Sequence, residues 1–339
     1  MPNKHKYTVE RIIKFILPQR LQIILIYALS NINAHRRRRK ALSLIPALKP
    51  LESKNSPQYI VSLTSYGKRL TDTAPVGIVT LLNQTVKPDR IILWVGNNDK
   101  ENIPRVMKKL TEKGVEIRFC EDIRSYTKLI PALVNFPDDY IITADDDLFY
   151  PQNWFEQLMF EHKNNPRKII CHRAHGIKVD RNHNPIPYFK WDQCIEPNIY
   201  FGQTFPSQNE NGNRPRLESV FPTGVGGILY PPKCFYKDIT NKELFLKLSP
   251  FADDIWFWAM AVINKEYFGV ESPYILVKDS HSQKLPLIDP RQEKGKNALW
   301  NYNWAENGND KQLKAVIEQY PQLRDVLGKI EEEVISSNS

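Results

Sequence analysis

Cysteine is scarce in this 339-residue chain, and a long uninterrupted apolar run is missing. The four cysteines, Cys120, Cys171, Cys194 and Cys234, lie far apart, which excludes the close pairs of a zinc site. They fit free thiols in a reducing compartment, although four thiols could also pair as disulfides. No apolar stretch reaches the ~20 residues of a spanning helix. These absences favour a globular protein of the cytoplasm.

The overall charge gives little indication of a nucleic-acid partner. Hydrophobic residues make up 41% and charged residues 25% of the chain, as in ordinary soluble domains. The net charge is +9, but five of the positive charges fall in the run from Arg36 to Lys40. That run suits an anionic membrane surface, where each basic residue contributes about 1 kcal/mol. The alternative is a solvated basic tail.

Residues 1–50 differ in character from the rest. An apolar stretch from Arg11 to Ser30 is interrupted at Pro18 and Arg20, and Arg20 would break the core of a signal peptide. The pattern favours a helix lying at the membrane interface, which would place the protein at the inner face of the membrane. A helix docked on the protein's own core is the alternative.

From residue 57 the hydrophobic pattern is that of an α/β protein. Strands alternate with helices at a spacing that predicts βαβ units and a mostly parallel sheet flanked by helices. Ligands bind such sheets beyond the carboxyl ends of the strands. The predicted strands are 59–64, 90–95, 115–120 and 140–144, and the predicted helices are 73–83, 102–113 and 128–134.

The second half of the chain is less regular. Strands are predicted at 169–172, 227–230 and 274–277, and helices at 153–160, 251–264 and 310–320. Residues 180–216 are rich in Asn, Pro and aromatic residues, which predicts a long functional loop.

The strongest candidate for a functional site is the segment Tyr140 to Asp147, where an apolar strand of the kind that is buried ends in three consecutive carboxylates. Because alternate side chains of a strand share a face, Asp145 and Asp147 are expected to point together and Asp146 away. Two carboxylates directed at one point need a cation, and hard oxygen ligands select Mg²⁺ or Mn²⁺. The alternative is an acidic surface turn.

This segment resembles the DxD motif of nucleotide-sugar glycosyltransferases with the GT-A fold, of the kind that builds bacterial polysaccharide and lipooligosaccharide. Four further segments resemble parts of those enzymes: the first strand and nucleoside loop, the segment before the DxD, the glycine-rich acceptor strand, and the helix start that carries the catalytic carboxylate. They are residues 59–66, 126–132, 222–230 and 252–258. The resemblance runs from about Tyr59 to Tyr320 and implies a GT-A-like, Rossmann-like α/β fold.

The resemblance also implies roles for individual residues. Asp145 and Asp147 would hold Mn²⁺ or Mg²⁺ with the donor diphosphate, Asp146 would lie near the ribose or sugar, and Lys128 would reach the base or a phosphate. A late histidine, His281, would be a further metal ligand, with a surface histidine as the alternative. The nucleoside pocket would be lined by Thr64, Ser65, Tyr66 and Arg69, although a Thr-Ser pair can equally cap a helix.

Asp253 and Asp254 open a predicted helix, where carboxylates meet unpaired amides and the helix dipole. We expect one of them to cap the helix and the other to be the general base that takes the acceptor proton. Asp254 is the expected base and Asp253 the expected cap, and the alternative exchanges the two roles. Gly224, Gly226 and Gly227 do not form a phosphate loop, since no Lys-Ser/Thr follows and the Rossmann order is lacking. Trp256 and Trp258 are candidates for sugar stacking or for core packing.

The sequence thus predicts an N-terminal arm (1–50), one GT-A domain (51–330) and a C-terminal tail (331–339). Residues 51–150 would bind the nucleotide sugar and 151–330 the acceptor. The expected reaction is metal-dependent hexosyl transfer to a glycan or lipid-linked hydroxyl, with inversion. The alternatives are a nucleotidyltransferase on a similar sheet and a non-catalytic carbohydrate-binding relative. Intact carboxylates at both candidate sites argue against the second.

Overall fold

The computed structural model describes residues 19–52, 57–195, 220–269, 273–277, 285–289 and 307–336. Its strands are β1 (Tyr59–Ser65), β2 (Arg90–Gly96), β3 (Val115–Cys120), β4 (Tyr140–Thr143), β5 (Ile169–Cys171), β6 (Ala174–Gly176), β7 (Val220–Pro222), β8 (Ile228–Tyr230) and β9 (Tyr274–Leu276). Its helices are α1 (Gln19–Ser43), α2 (Arg69–Asp72), α3 (Ala74–Leu82), α4 (Arg105–Thr111), α5 (Ile130–Asn135), α6 (Trp154–Asn164), α7 (Lys242–Leu248), α8 (Asp253–Val262), α9 (Lys265–Phe268), α10 (Gly308–Gln319) and α11 (Leu323–Ser336).

Seven of the strands form one mixed sheet in the order β3-β2-β1-β4-β8-β5-β9. β1 runs parallel to both β2 and β4, β2 runs parallel to β3, and β5 runs parallel to β9. β8 is antiparallel to its neighbours β4 and β5. β6 and β7 form a separate antiparallel pair. The expected mixed, mostly parallel sheet is confirmed.

The core lies on both faces of this sheet. In β1, Ile60 packs in a cluster with α8, whereas Val61 and Leu63 pack in a second cluster with α3. This division follows from the alternation of side chains along a strand. A strand covered by helices on both faces is apolar almost throughout, which is why the sequence of β1 shows a continuous apolar run.

The predicted strands of the first half are found, with differences at the ends of elements. β4 ends at Thr143, so the three aspartates lie in the turn that follows it. The predicted helix 128–134 is a 3₁₀ turn, Arg124–Lys128, followed by α5. The β6–β7 pair was not predicted, because three-residue strands carry too little periodicity to detect. The predicted tail 331–339 begins inside α11.

The N-terminal arm is partly built into the domain. Ala34 and Ala41 of α1 are buried, as are Ile45 and Leu48 after it, and Ala41, Ile45 and Leu48 belong to the α3-side core. From residue 34 onward, the arm therefore packs on the protein's own core, which is the second of the two arrangements expected from the sequence. The core therefore continues across the predicted boundary at residue 50. Within the described parts of the chain, no helix is long and apolar enough to cross a membrane.

Candidate active site

A pocket of about 670 Å³ opens at the carboxyl ends of β1, β2 and β4. Strand β1 ends with Thr64 and Ser65, and Asp145 and Asp146 follow the end of β4. Because the two strands are parallel, these side chains lie at the same edge of the sheet, where they line the pocket. The start of α8 and the glycine segment before β8 form the opposite wall. Predicted site residues lining the pocket are Thr64, Ser65, Tyr66, Arg69, Lys128, Asp145, Asp146, Asp253 and Asp254.

Arg69, at the start of α2, joins two of the three consecutive aspartates. Its guanidinium Nε lies 3.0 Å from both carboxylate oxygens of Asp146, and its Nη2 also pairs with Asp146 and lies 2.9 Å from Asp147. Burial opposes the charge on Arg69, but the bonds to Asp146 raise the pKa of the guanidinium further above its usual range. The arginine therefore fixes the turn after β4 from the β1 side of the sheet.

Lys128 connects the two walls of the pocket. Its Nζ lies 3.5 Å from Asp145 Oδ1 and 3.2 Å from Asp253 Oδ2. The residue is 9% exposed, so its charge depends on these carboxylates. Burial disfavours the ammonium, but Asp253 and Asp145 together raise its pKa above the usual range. The sequence predicted Lys128 as a ligand contact, and the structure places it between two acidic groups.

Asp254 faces the pocket from the first turn of α8. Its Oδ1 accepts a hydrogen bond of 3.0 Å from the Gly224 amide. Burial, with repulsion from Asp253, raises the pKa of Asp254 to about 7. A Cβ at Gly224 would lie 2.6 Å from Lys128 Nζ and 3.1 Å from Asp254 Oδ1. A larger residue at this position would therefore push the Lys128 ammonium away from its place between Asp145 and Asp253.

Two interpretations made from the sequence are wrong. Asp253 does not cap α8: the N-cap is Ala252, the helix has no side-chain cap, and the Asp253 carboxylate is directed at Lys128 instead. The alternation expected of Asp145 and Asp147 does not hold either. Because β4 has already ended, Asp146 and Asp147 share Arg69, whereas Asp145 lies with Lys128.

The acidic turn carries more negative charge than its cationic neighbours offset. Burial raises the pKa of Asp145, with Lys128 opposing and Asp146 adding to the shift. Burial likewise raises the pKa of Asp147 to about 6, against the effect of Arg69 and with repulsion from Asp146 and Asp145. Across the described ranges, no group of three or more His, Cys, Asp or Glu side chains is arranged to hold a metal ion. His281 lies outside the described residues.

The candidate nucleoside residues lie on one wall. Tyr66 is 61% exposed, and the Arg69 guanidinium lies 5.7 Å from its ring centroid. Thr64 Oγ1 donates to the Trp94 carbonyl at 3.0 Å, so it does not cap the next helix. Ser65 Oγ is buried and has no hydrogen-bond partner among the described atoms. This hydroxyl is thus available to a ligand.

Three further aromatic side chains near the candidate site are buried. Trp256 and Trp258 are buried in the core rather than exposed to a sugar. His172 is also buried, and burial lowers its pKa to about 4 while its Nε2 lies 3.0 Å from the Trp154 carbonyl.

Several pocket residues were not assigned a site from the sequence. They are Arg173, His175, Tyr188, Phe221 and Thr223, which line the same pocket. His175 and Phe221 lie in β6 and β7, Arg173 and Thr223 flank that pair, and Tyr188 lies between its strands. They were missed because strands of three residues leave little pattern in the sequence.

Comparison with known families gives a match over part of the chain. Residues 69–221 match the model of the family described as Glycosyl transferase family 2, a little under half of the 339 residues. This segment contains Arg69, Lys128 and all three aspartates of the acidic turn. This is a GT-A-fold glycosyltransferase domain. The fold class expected from the sequence is confirmed with it.

Solved structures similar to this glycosyltransferase domain are distant. The 4-diphosphocytidyl-2C-methyl-D-erythritol synthase of Anaerococcus prevotii is 12% identical, with 75% of this chain and 100% of that chain covered and a TM-score of 0.39. Residues 1–349 of TarS from S. aureus are 13% identical, with 66% and 58% covered and a TM-score of 0.37. Such low scores identify no function. Comparison with curated proteins gives no match.

Proposed function

We propose that this glycosyltransferase moves a hexose from a nucleotide diphosphate sugar to a hydroxyl of a glycan or lipid-linked acceptor, in the synthesis of cell-surface polysaccharide or lipooligosaccharide. One observation carries the proposal. A single pocket holds an acidic turn beyond a parallel sheet on one wall and a separate carboxylate, Asp254, on the other. The first suits the diphosphate end of a donor, and the second suits the activation of an acceptor.

The acidic turn fits a hard divalent cation, Mg²⁺ or Mn²⁺. Its donors are carboxylate oxygens, which these ions prefer. Among the described residues, four carboxylates, those of Asp145, Asp146, Asp147 and Asp253, form ion pairs with two cations, Arg69 and Lys128. The raised pKa values of Asp145 and Asp147 reflect burial and this excess of negative charge. Asp145 and Asp147 would hold the ion, which would neutralise charge on the departing diphosphate.

Asp254 would take the proton of the acceptor hydroxyl. A general base works best when its pKa lies near the working pH, and the pKa of Asp254 is raised to about 7. The Gly224 amide fixes one carboxylate oxygen and leaves the other for the hydroxyl. A base that is distinct from the diphosphate site favours direct displacement at the sugar carbon, and therefore inversion.

The other residues would bind and orient the donor. Tyr66 offers an exposed ring at the pocket wall on which a flat base can stack, and Ser65 offers a buried hydroxyl. Lys128 would hold Asp145 and Asp253 in place across the pocket. Asp146, held by Arg69, would face the ribose or sugar.

A donor screen tests this function. Nucleotide sugars are incubated with the full chain in Mn²⁺ or in chelator, and the nucleotide product is identified. We expect consumption of one donor with release of a nucleoside diphosphate, loss of turnover in chelator, and weaker calorimetric donor binding in Asp147→Asn. Asp325→Asn is the matched control, since Asp325 is exposed on α11 and remote from the pocket.

Other results of the screen would contradict the proposal. Release of pyrophosphate would identify a nucleotidyltransferase. Binding of sugars without consumption of any donor would identify a non-catalytic relative. Full turnover in chelator would exclude a role for the cation.

We further propose that α1 holds the enzyme at an anionic membrane surface. Arg36, Arg39 and Lys40 are exposed and lie at i, i+3 and i+4, which places them on one face of the helix. The buried residues Ala34 and Ala41 lie on the side that packs on the domain. The helix is thereby oriented with basic side chains outward.

A further inference from the structure

Arg173 differs from Arg69 and Lys128, the two cations of the pocket that lie on its acidic groups; the exposed Arg124, which also lines the pocket, has its Nη1 3.2 Å from the Pro250 carbonyl. Arg69 and Lys128 are each paired with carboxylates. Arg173, between β5 and β6, has its Nε 3.2 Å from Cys194 Sγ, and it forms no ion pair with a carboxylate of the described chain. It nevertheless lines the pocket. The N–H groups of Arg173 are therefore available to donate hydrogen bonds to a ligand in the pocket.

The position of Arg173 relative to Asp254 is set by two consecutive residues. The Thr223 amide donates to the Arg173 carbonyl at 3.1 Å, and the Gly224 amide donates to Asp254 Oδ1 at 3.0 Å. The dipeptide Thr223-Gly224 therefore joins the arginine to the proposed base. Tyr188 lies within the electrostatic reach of both, because Asp254 raises and Arg173 lowers the pKa of its hydroxyl, on which burial is the largest influence.

A second donor lies between them. Thr223 is 4% exposed, and its Oγ1 is buried without a hydrogen-bond partner in the described parts of the chain. The residue lines the same pocket. A buried hydroxyl without a partner is costly, and a ligand atom that accepts its hydrogen bond would remove that cost. His175, the other basic group here, is neutral, because burial lowers its pKa to about 3.

We propose that Arg173 and Thr223 bind an anionic group of the acceptor, a carboxylate or a phosphate, close to the hydroxyl that Asp254 activates. The inference rests on the proposed function, which makes Asp254 the acceptor's base. A planar guanidinium matches both oxyanions with two parallel bonds. The donor diphosphate is assigned to the acidic turn, so an anion at Arg173 belongs to the other substrate. The acceptor class is therefore acidic glycans.

Binding of simple probes tests the proposal without a known acceptor. Glucose, glucuronate and glucose 6-phosphate are titrated into the full chain with UDP and Mn²⁺, by saturation-transfer NMR. We expect at least one of the two acids to bind about 10- to 100-fold more tightly than glucose, since hydrogen bonds to charged groups are the strong ones. The acid that binds distinguishes a carboxylate from a phosphate.

Variants assign the effect to the two residues. Arg173→Gln should abolish the preference for the acid, Arg173→Lys should keep part of it, and Thr223→Val should reduce it, with UDP affinity and melting temperature retained. Arg181→Gln is the control, because Arg181 is exposed, carries the same charge and does not line the pocket.

Three results would overturn the inference. These are equal binding of glucose and both acids, unchanged acid binding in Arg173→Gln, and loss of UDP affinity in Arg173→Gln, which would place Arg173 on the donor side. Failure of the proposed function is recognised separately, because it would show as no nucleotide sugar consumed while the charge preference persists.

Discussion

At the scale of single residues, the carboxyl group of Asp254 is held where its ionised form is disfavoured. Burial and repulsion from Asp253 raise its pKa in the folded protein to about 7, well above the 3.8 that is usual for an aspartate. Between those values the folded protein binds more protons at this site than the unfolded chain does. The contribution of Asp254 to stability is therefore present below about pH 4 and is lost as the pH rises through about 7.

Asp254→Asn should separate catalysis from stability. Loss of a general base should lower turnover by about 10²- to 10⁴-fold. Because asparagine has no charge to bury, the melting temperature relative to wild type should be higher at pH 8 than at pH 4. Wild-type kcat/KM for the acceptor should fall as the pH drops below about 7. The measurements are a pH–rate profile and calorimetric melting at both pH values.

Asp325→Asn, which changes an exposed carboxylate, should leave both quantities as in wild type. Near-normal turnover in Asp254→Asn would remove α8 from the mechanism.

The pocket residues at the ends of β1 and β4 were largely predictable, and those around β6 and β7 were not. Thr64, Lys128 and Asp145 follow or precede elements with strong periodicity, so a resemblance could be assigned to them residue by residue. Arg173 and Thr223 flank three-residue strands, and their pairing spans nearly 50 residues of sequence. A contact between residues so far apart in the sequence leaves no local sequence pattern from which it could be predicted. The role of Asp253 was missed for a related reason, since its partner Lys128 is remote in sequence.

At the scale of elements, the sheet was predictable because each long strand is apolar on both faces. The packing of the N-terminal arm on the domain was not predictable in the same way. A helix that packs through the small residues Ala34 and Ala41 shows little amphipathic pattern. The chain after it is fixed by polar bonds as well. Lys113 Nζ donates to the Leu48 carbonyl at 2.7 Å, and the Leu51 amide donates to the Lys113 carbonyl at 3.0 Å.

Shortening the chain should show where the domain begins. A protein that starts at residue 31 should keep the wild-type melting temperature. One that starts at residue 51 loses Ala41, Ile45 and Leu48 from the core and should melt on the order of 10 °C lower, since each buried large side chain contributes about 2–5 kcal/mol. Scanning calorimetry measures both. Equal melting temperatures would mean that the packing of the arm contributes nothing to stability.

At the scale of the whole molecule, five positive charges of a chain whose net charge is +9 fall in one run on α1, Arg36 to Lys40. Five consecutive residues of a helix cannot all face the same way, since each is rotated by about 100° from the last. Arg37 accordingly turns toward the domain, with its guanidinium 5.9 Å from the ring centroid of Phe149. Arg36, Arg39 and Lys40 remain on the outward face. A membrane would thus meet three charges from this run rather than five.

Vesicle binding should depend on those three side chains. The full chain should bind vesicles that contain phosphatidylserine and should be released by added salt, because the attraction is screened. Replacing Arg36, Arg39 and Lys40 by Gln should weaken binding roughly 100-fold at about 1 kcal/mol for each charge. The matched control replaces Lys108, Lys109 and Lys163, which are exposed elsewhere on the domain, with the same loss of charge. Equal weakening of vesicle binding in both variants would show that net charge alone drives adsorption. Vesicle binding that does not change with added salt would exclude an electrostatic role for α1.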